Sequence, residues 1–350
     1  MRRPFAVAAV VLASAVIGTG SADSQSDAPT GVQDTLVRQL RLTPAQIATV
    51  RRGEPVAVVL PTMLDREVAV GGAVRIEAPA ARLVAVVRDI ERLERGSGFL
   101  ATRKLSSPPT AADMATLQVP AEDVRDLRSC RPGKCEIKLG QAGFDALDMI
   151  DWNASNVTDQ VNQLARGMAL EYLSRYRAGG NAALAVYLDA VKPTFVAREF
   201  EDLVRRTSSL TESVPQVSAY LLQYPEGRPP DVDDYFYWSL GEFGLKPVVR
   251  LNHAVIHPTG RATGLQYAIT TKQLYASHYF HTALEVRILI DDRERPGQAH
   301  YLVVVNVARL DGLTGLFGPI VRSKARGGAR NGLQAVLGGM KKLAEGRPPG

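Results

Sequence analysis

His278-Tyr279-Phe280-His281-Thr282-Ala283-Leu284-Glu285-Val286-Arg287-Ile288-Leu289-Ile290 decides the fold. Phe280, Thr282, Leu284, Val286 and Ile288 recur at every second position, and Glu285 and Arg287 fall between them. A period of two with one apolar side is the pattern of a strand with one wet face. The neighbouring segments repeat it. Val249, Leu251, His253, Val255 and His257 alternate with Arg250 and Asn252, and Leu265, Tyr267 and Ile269 form another apolar edge. Tyr301 to Val307 is apolar on both sides, and Asp291 to Gly297 reads as a charged hairpin loop. The glycine-rich run from Asp311 to Pro319 then leads into a long basic amphipathic helix. A strand meander closed by one terminal helix is the layout of a protein that wraps a ligand.

The terminal helix has two unlike halves. Leu333, Val336, Leu337, Met340 and Leu343 make a bulky stripe, whereas Ala325, Gly328, Ala329 and Gly332 make a thin one. Glycine costs about 0.5–1 kcal/mol in a helix relative to alanine. The thin half therefore calls for a reason, such as close backbone approach, a kink or a gate.

At the other end, Met1-Arg2-Arg3 is a basic start, Phe5 to Ile17 is apolar except for Ser14, and Gly20-Ser21-Ala22 supplies small residues before a polar stretch. That is the pattern of a secretory signal peptide cleaved near Ala22, and it is short for a membrane span. The expected location is periplasmic or secreted. The chain carries 42 basic and 36 acidic residues, and loss of Arg2 and Arg3 leaves 40 basic. Arg322, Lys324, Arg326, Arg330, Lys341, Lys342 and Arg347 crowd the C-terminus, opposed by Glu345. Such a patch suits a solvated helix face, anionic lipid headgroups or nucleic acid, and export argues against nucleic acid. Leu313, Leu316, Phe317 and Ile320 lie beside Arg322, Lys324 and Arg326, which makes Leu316, Phe317 and these three cations the expected membrane-contact set; the competing reading plugs the apolar residues into the sheet's own core. Cys130 and Cys135 bracket Arg-Pro-Gly-Lys. In an oxidising compartment this spacing closes a small structural disulfide over a Pro-Gly turn.

Upstream, the chain reads as a signal at 1–22, an N-terminal segment with one short helix at 23–55, a first part of the sheet with a helix at 56–140, a helical insertion at 141–225, and the C-terminal sheet and terminal helix of the same domain at 226–346. Thr43-Pro44-Ala45-Gln46 starts a helix as a capping box with Pro at N1. Strands are expected at 56–60, 67–77, 99–105, 114–119 and 135–139. The insertion reads as consecutive helices at 142–151, 157–177, 182–191, 195–206 and 214–222, with Thr194 and Ser213 as caps. Residues 225–234 read as a loop. The fold class is α+β, a curved antiparallel sheet gripping a long C-terminal helix, with a helical insertion mid-chain.

Two pieces resemble the START-like (SRPBCC, helix-grip) superfamily. One is the strand, Ala-Pro and helix of Ala73-Val74-Arg75-Ile76-Glu77-Ala78-Pro79-Ala80-Ala81-Arg82-Leu83-Val84-Ala85-Val86-Val87-Arg88-Asp89-Ile90; the other is the C-terminal meander with its Gly-Pro loop and long helix. The helical block at 141–224 departs from that family's compact domain. The resemblance implies an apolar cavity between sheet and terminal helix, in a family whose members carry lipids, sterols or polyketide-like ligands and include some enzymes.

No catalytic constellation accompanies these features. His253 and His257, four apart on one strand face, lie about 13 Å apart and cannot share a metal. His278 and His281 fall on opposite faces, and neither H-E-x-x-H nor G-x-S-x-G occurs. No metal, cofactor or catalytic residue is assigned. The expected ligand-binding residues are Val249, Leu251, His253, Tyr267, Phe280, Leu284 and Val303, with His253 and Tyr267 as the polar groups. The expected function is a binding or carrier protein for a hydrophobic small molecule or lipid, with transient contact to an anionic membrane. The alternatives are an envelope interaction protein using the helical block, or a cyclase- or hydrolase-like enzyme on the same scaffold.

Overall fold

The computed structural model describes residues 32–96, 98–207, 213–242, 246–260, 264–315 and 318–347. The expected signal peptide at 1–22, Leu316 and Phe317 lie outside the described residues. Helices α1 (Val32–Arg38) and α2 (Pro44–Arg51) precede strands β1 (Val56–Leu60) and β2 (Glu67–Ile76). The capping box of α2 forms as read, with Thr43 Oγ1 accepting from Gln46 N at 3.3 Å and Gln46 Oε1 accepting from Thr43 N at 2.9 Å. Next come α3 (Ala80–Arg88), α4 (Ile90–Glu94) and β3 (Phe99–Lys104). The insertion holds α5 (Ala111–Met114), α6 (Ala121–Leu127), α7 (Gln141–Leu147), α8 (Val157–Gly179), a 3-10 turn at Gly180–Ala183, the short hairpin β4 (Val186–Tyr187) and β5 (Thr194–Phe195), α9 (Val196–Arg206) and α10 (Pro215–Gln223). The chain ends with β6 (Asp233–Gly241), β7 (Val248–Pro258), β8 (Leu265–Ala276), β9 (Phe280–Asp291), β10 (His300–Leu310) and α11 (Gly318–Ala344).

The fold class is as the pattern predicted, an α+β sheet with a terminal helix and a mid-chain helical insertion. Several local readings are corrected. Residues 182–191 form the 3-10 turn and β4, not a helix. Met114 ends a helical turn rather than starting a strand, because Met114 and Leu117 both point into the core. The cap positions of α9 and α10 are Phe195 and Val214, with no side-chain bond. Ser213 Oγ instead accepts from Gln39 Nε2 at 2.7 Å, tying α10 to the N-terminal helices. Strand β6 was read partly as loop, since Tyr235, Phe236, Tyr237 and Trp238 are all buried and leave no alternation to detect.

All neighbouring strands of the eight-stranded sheet are antiparallel, in the order β1-β2-β10-β9-β8-β7-β6-β3. Helices α3 and α4 carry the chain from β2 to the opposite edge at β3. The meander β6 to β10 returns it to β2. Segments 56–140 and 226–346 thus share one sheet.

Both faces of that sheet are covered. Val70, Val74, Ile76, Leu302 and Val304 pack with Leu83 and Val87 of α3 and Leu333, Leu337 and Met340 of α11. Ala69, Ala73, Val303, Val305 and Val307 pack on the other face with Leu36 and Val50 of the N-terminal helices and Phe200 and Leu203 of α9. A third, smaller core holds Val124, Leu127, Ile137, Phe144 and Val161 around Cys130, which is bonded to Cys135 (S–S 2.03 Å). The disulfide fits an oxidising compartment. Among the described residues no helix is long and apolar enough to cross a membrane.

Leu337 of α11 packs on Gly72 of β2, where an added Cβ would lie 2.7 Å from Leu337 Cδ1 and 2.7 Å from the Val56 carbonyl oxygen. The backbone oxygen cannot yield as a side chain would. Gly72→Ala is therefore expected to lower stability by about 1–3 kcal/mol, the usual range for overpacking. Urea unfolding measures this, and an unchanged midpoint would mean that α11 sits farther from β2.

Candidate ligand-binding site

The seven expected ligand-binding residues do not line one space under the terminal helix. Val249, Leu251, Leu284 and Val303 belong to the core against the helical block and N-terminal helices, as does His253 through its aromatic neighbours. Tyr267 packs on the opposite face, with α3 and α11. Phe280 is half-buried at the start of β9. Parity holds along β7 and β9, but in β8 the register shift between Leu265 and Tyr267 puts Leu265 against the helical block and Tyr267 and Ile269 on the face of α3 and α11. Alternation separates two sides of a strand and does not say which helix covers each.

His253 is fully buried in an aromatic box, its ring 4.7 Å from those of Phe236 and Tyr224. Tyr176 stacks on Tyr224 at 4.8 Å. Burial holds the His253 pKa below the ordinary histidine value, against the pull of Asp234, so the ring is neutral. The network assigns Nε2–H to Asp234 Oδ2 at 3.2 Å, leaving Nδ1 to accept from the Tyr176 hydroxyl at 3.3 Å. Burial pushes the Asp234 carboxyl up, but bonds from His253, Tyr220 and Arg228 outweigh it and keep Asp234 ionised. The ion pair here is Arg228–Asp234 at 2.7 Å.

Behind Tyr176 lies Lys272, fully buried, its Nζ donating to the Tyr176 oxygen at 3.2 Å and to Asn181 Oδ1. That nitrogen sits 4.1 Å above the Phe200 ring centre, and burial alone drives its pKa well below the usual lysine range. Asn181 follows Gly180, whose φ of 56° and approach to the Tyr224 carbonyl (1.6 Å from any Cβ) admit only glycine. Asp234, His253, Tyr176 and Lys272 thus form a continuous hydrogen-bonded row that fastens α8 and α10 to the sheet. Its members are enclosed, and its role is to hold the helical block in place.

The opposite face is different in kind. Arg250, Asn252, Gln273, Glu285 and Arg287 project from β7, β8 and β9 on the side shared with α3, α4 and α11. The cross-strand pairs Asn252↔Gln273, Asn252↔Tyr237, Glu285↔Thr271 and Glu285↔Asn306 fix their proximity. Glu94 of α4 adds a carboxylate 3.6 Å from Arg250 and accepts from the Thr102 hydroxyl at 2.6 Å. Burial raises the Glu94 pKa, opposed by Arg250 and Thr102. Arg250 Nη2 donates to Ser239 Oγ at 3.0 Å, and Glu285 pairs with Arg287.

Asn252, Gln273 and Arg287 are 1%, 3% and 7% exposed, yet Asn252 Nδ2, Arg287 Nε and both amide heteroatoms of Gln273 are buried with no protein partner. Each such group carries a cost of about 1–3 kcal/mol. Beside them Thr271, Ala283, Glu285 and Asn306 are only half-buried, so solvent reaches the floor of this face. The bulky half of α11 covers its apolar end. Over the thin half, a Cβ at Gly327, Gly328 or Gly332 would meet nothing within 4 Å, so close approach is not the reason for these glycines.

This polar group was visible in the sequence only as the wet side of β7 and β9. Gln273 and Glu94 were missed, since their placement depends on a bulge in β8 and on a helix two strands away. Cavities among the described residues lie elsewhere. One, of about 340 Å³, is bounded by Arg38, Arg41, Thr62, Met63, Arg206 and Thr207; another, of about 380 Å³, lies beside the disulfide near Phe144 and Trp152. In the membrane-contact set, Arg322 meets Asp65 at 2.5 Å, Arg326 donates to Thr62 Oγ1 at 3.0 Å, and Lys324 is exposed.

These features define a two-sided α+β sheet with a closed polar row on one face and an unsatisfied polar floor on the other. No family model matches the chain, and neither a curated protein nor a solved structure matches it.

Lys272 gives the closed row a measurable signature. Its folded pKa lies below that of the unfolded chain, so the unfolded state binds more protons and stability falls as pH is lowered through the interval between the two values. Relative to Lys272→Met, the wild type should lose up to about 1.4 kcal/mol for each pH unit descended from about pH 10. Urea unfolding of both proteins between pH 7 and 10 tests this, and a pH-independent difference would show that Lys272 stays protonated.

Proposed function

We propose that this is an exported binding or carrier protein for an amphipathic small molecule, held between the sheet and the terminal helix. The observation that carries this reading is the set of buried, unpartnered polar atoms on Asn252, Gln273 and Arg287. A core built only for stability would have paired them or replaced them with apolar side chains. A polar ligand group that reached them would satisfy them.

The layout supports a START-like assignment. A strand, two short helices, a crossing to the far edge, a returning meander and a long C-terminal helix follow one another as that resemblance implies. The helical insertion adds a second layer on the far face and leaves the gripped face free. The glycine half of α11, low in helix propensity and with nothing within 4 Å of a Cβ at Gly327, Gly328 or Gly332, provides a route for the ligand to pass. Export rests on the leader pattern and fits the disulfide.

Mass spectrometry of small molecules retained by protein recovered from its native host tests the reading. A stoichiometric amphipathic compound is expected. In Asn252→Leu/Gln273→Leu this compound should be lost, while the ligand-free protein gains about 1–3 kcal/mol from removal of unsatisfied groups. A less stable double variant that carries the same compound as the wild type, or a wild type that carries nothing, would sink it.

A further inference from the structure

We infer that one end of the molecule, made of the β1–β2 loop and the first turns of α11, docks on an anionic lipid bilayer. This deepens the carrier reading and rests on it only for the purpose of docking. The apolar part of the rim is exposed to a degree unusual for large side chains: Met63 is 79% exposed, Ile320 59%, Val59 41% and Val321 40%. These residues come from two separate segments held to each other by Arg322–Asp65 and by Arg326 Nη2 on Thr62 Oγ1. The clamp presents Met63 and the Ile320-Val321 pair on a common rim.

Charge complementarity selects the occupant. Among the described residues no carboxylate lies in an ion pair with Arg41, Lys324 or Arg326, whereas Arg38 and Arg322 are met by Asp34 and Asp65. Three uncompensated cations therefore border the exposed apolar side chains. Apolar groups that enter the headgroup boundary, flanked by lysine and arginine, are what an anionic bilayer binds. A cavity of about 340 Å³ next to the rim, on the face covered by α1 and α9, has Arg38, Arg41, Arg206 and Thr62 on its walls, with Glu67 there paired to Arg309.

Position links the rim to the ligand site. Ala308 pairs with Val68 and with Ala283, and Arg309 pairs with Glu67, so this end of the sheet lies next to the β1–β2 loop. Gln273 and Asn252 face each other in the adjoining strands. Gln273 and Asn252 thus lie toward the same end of the sheet as the rim, three and four strands from β2.

The test is sedimentation with vesicles of phosphatidylcholine alone and of equal parts phosphatidylcholine and phosphatidylglycerol. Binding is expected only to the anionic vesicles, weakening as the Debye length shrinks from about 10 Å at 0.1 M salt to about 3 Å at 1 M. Met63→Glu/Ile320→Glu should abolish it, and Lys324→Glu should weaken partitioning at least about fivefold. All three side chains are exposed, and an unchanged thermal unfolding profile confirms the fold. Equal binding to neutral vesicles, or undiminished binding by the double variant, overturns the inference. The compound retained by the double variant separates the two proposals. Retention without vesicle binding in either protein removes docking alone, and vesicle binding by a wild type that carries nothing removes the carrier alone.

Discussion

The constraint on which the rest of the structure depends is that β2 and β10 are apolar on both sides. Every residue of β2 except Arg75 is buried, and β10 is buried along nearly its whole length. At about 25 cal/mol per Å² of apolar surface removed from water, neither face of this pair can be left wet. One helix cannot cover two faces. The chain therefore needs a layer on each side, and α11 with α3 and α4 provides one while α1, α2, α8, α9 and α10 provide the other.

Polar groups set how those layers are fastened. Arg309, fully buried on β10, donates to Glu67 at 3.0 Å, to Glu199 at 2.9 Å and to Asp202 at 2.7 Å, which pins α9 across the sheet. A buried guanidinium with one carboxylate removed leaves an uncompensated charge, so such a cluster fixes position more than it adds stability. Lys272, Tyr176, His253 and Asp234 do the same for α8 and α10 with a nearly complete set of hydrogen bonds. On the gripped face the corresponding groups remain incomplete.

The C-terminal half of the fold was legible because β7 and β9 alternate, β10 is apolar on both sides, and Leu333, Val336, Leu337, Met340 and Leu343 repeat at helical spacing, whereas the bulges of β8 broke its alternation. The disulfide and the α2 capping box were legible because both are local. Strand β6 was not, since its aromatic run has no period. The short elements of the insertion, such as β4 and α5, were not, because tertiary contacts override weak local preference there.

The sequence by itself determined which residues share a side of each strand, where the terminal helix begins to bury bulky residues, and that Arg250, Asn252, Glu285 and Arg287 stand apart from Val249, Leu251, Leu284 and Val286. Only the tertiary structure decided which side is which. The apolar side faces the insertion, and the polar side faces the terminal helix, because a second helical layer from residues far away in the chain competes for the more hydrophobic surface. That long-range competition moved the candidate site from the apolar residues to the polar ones.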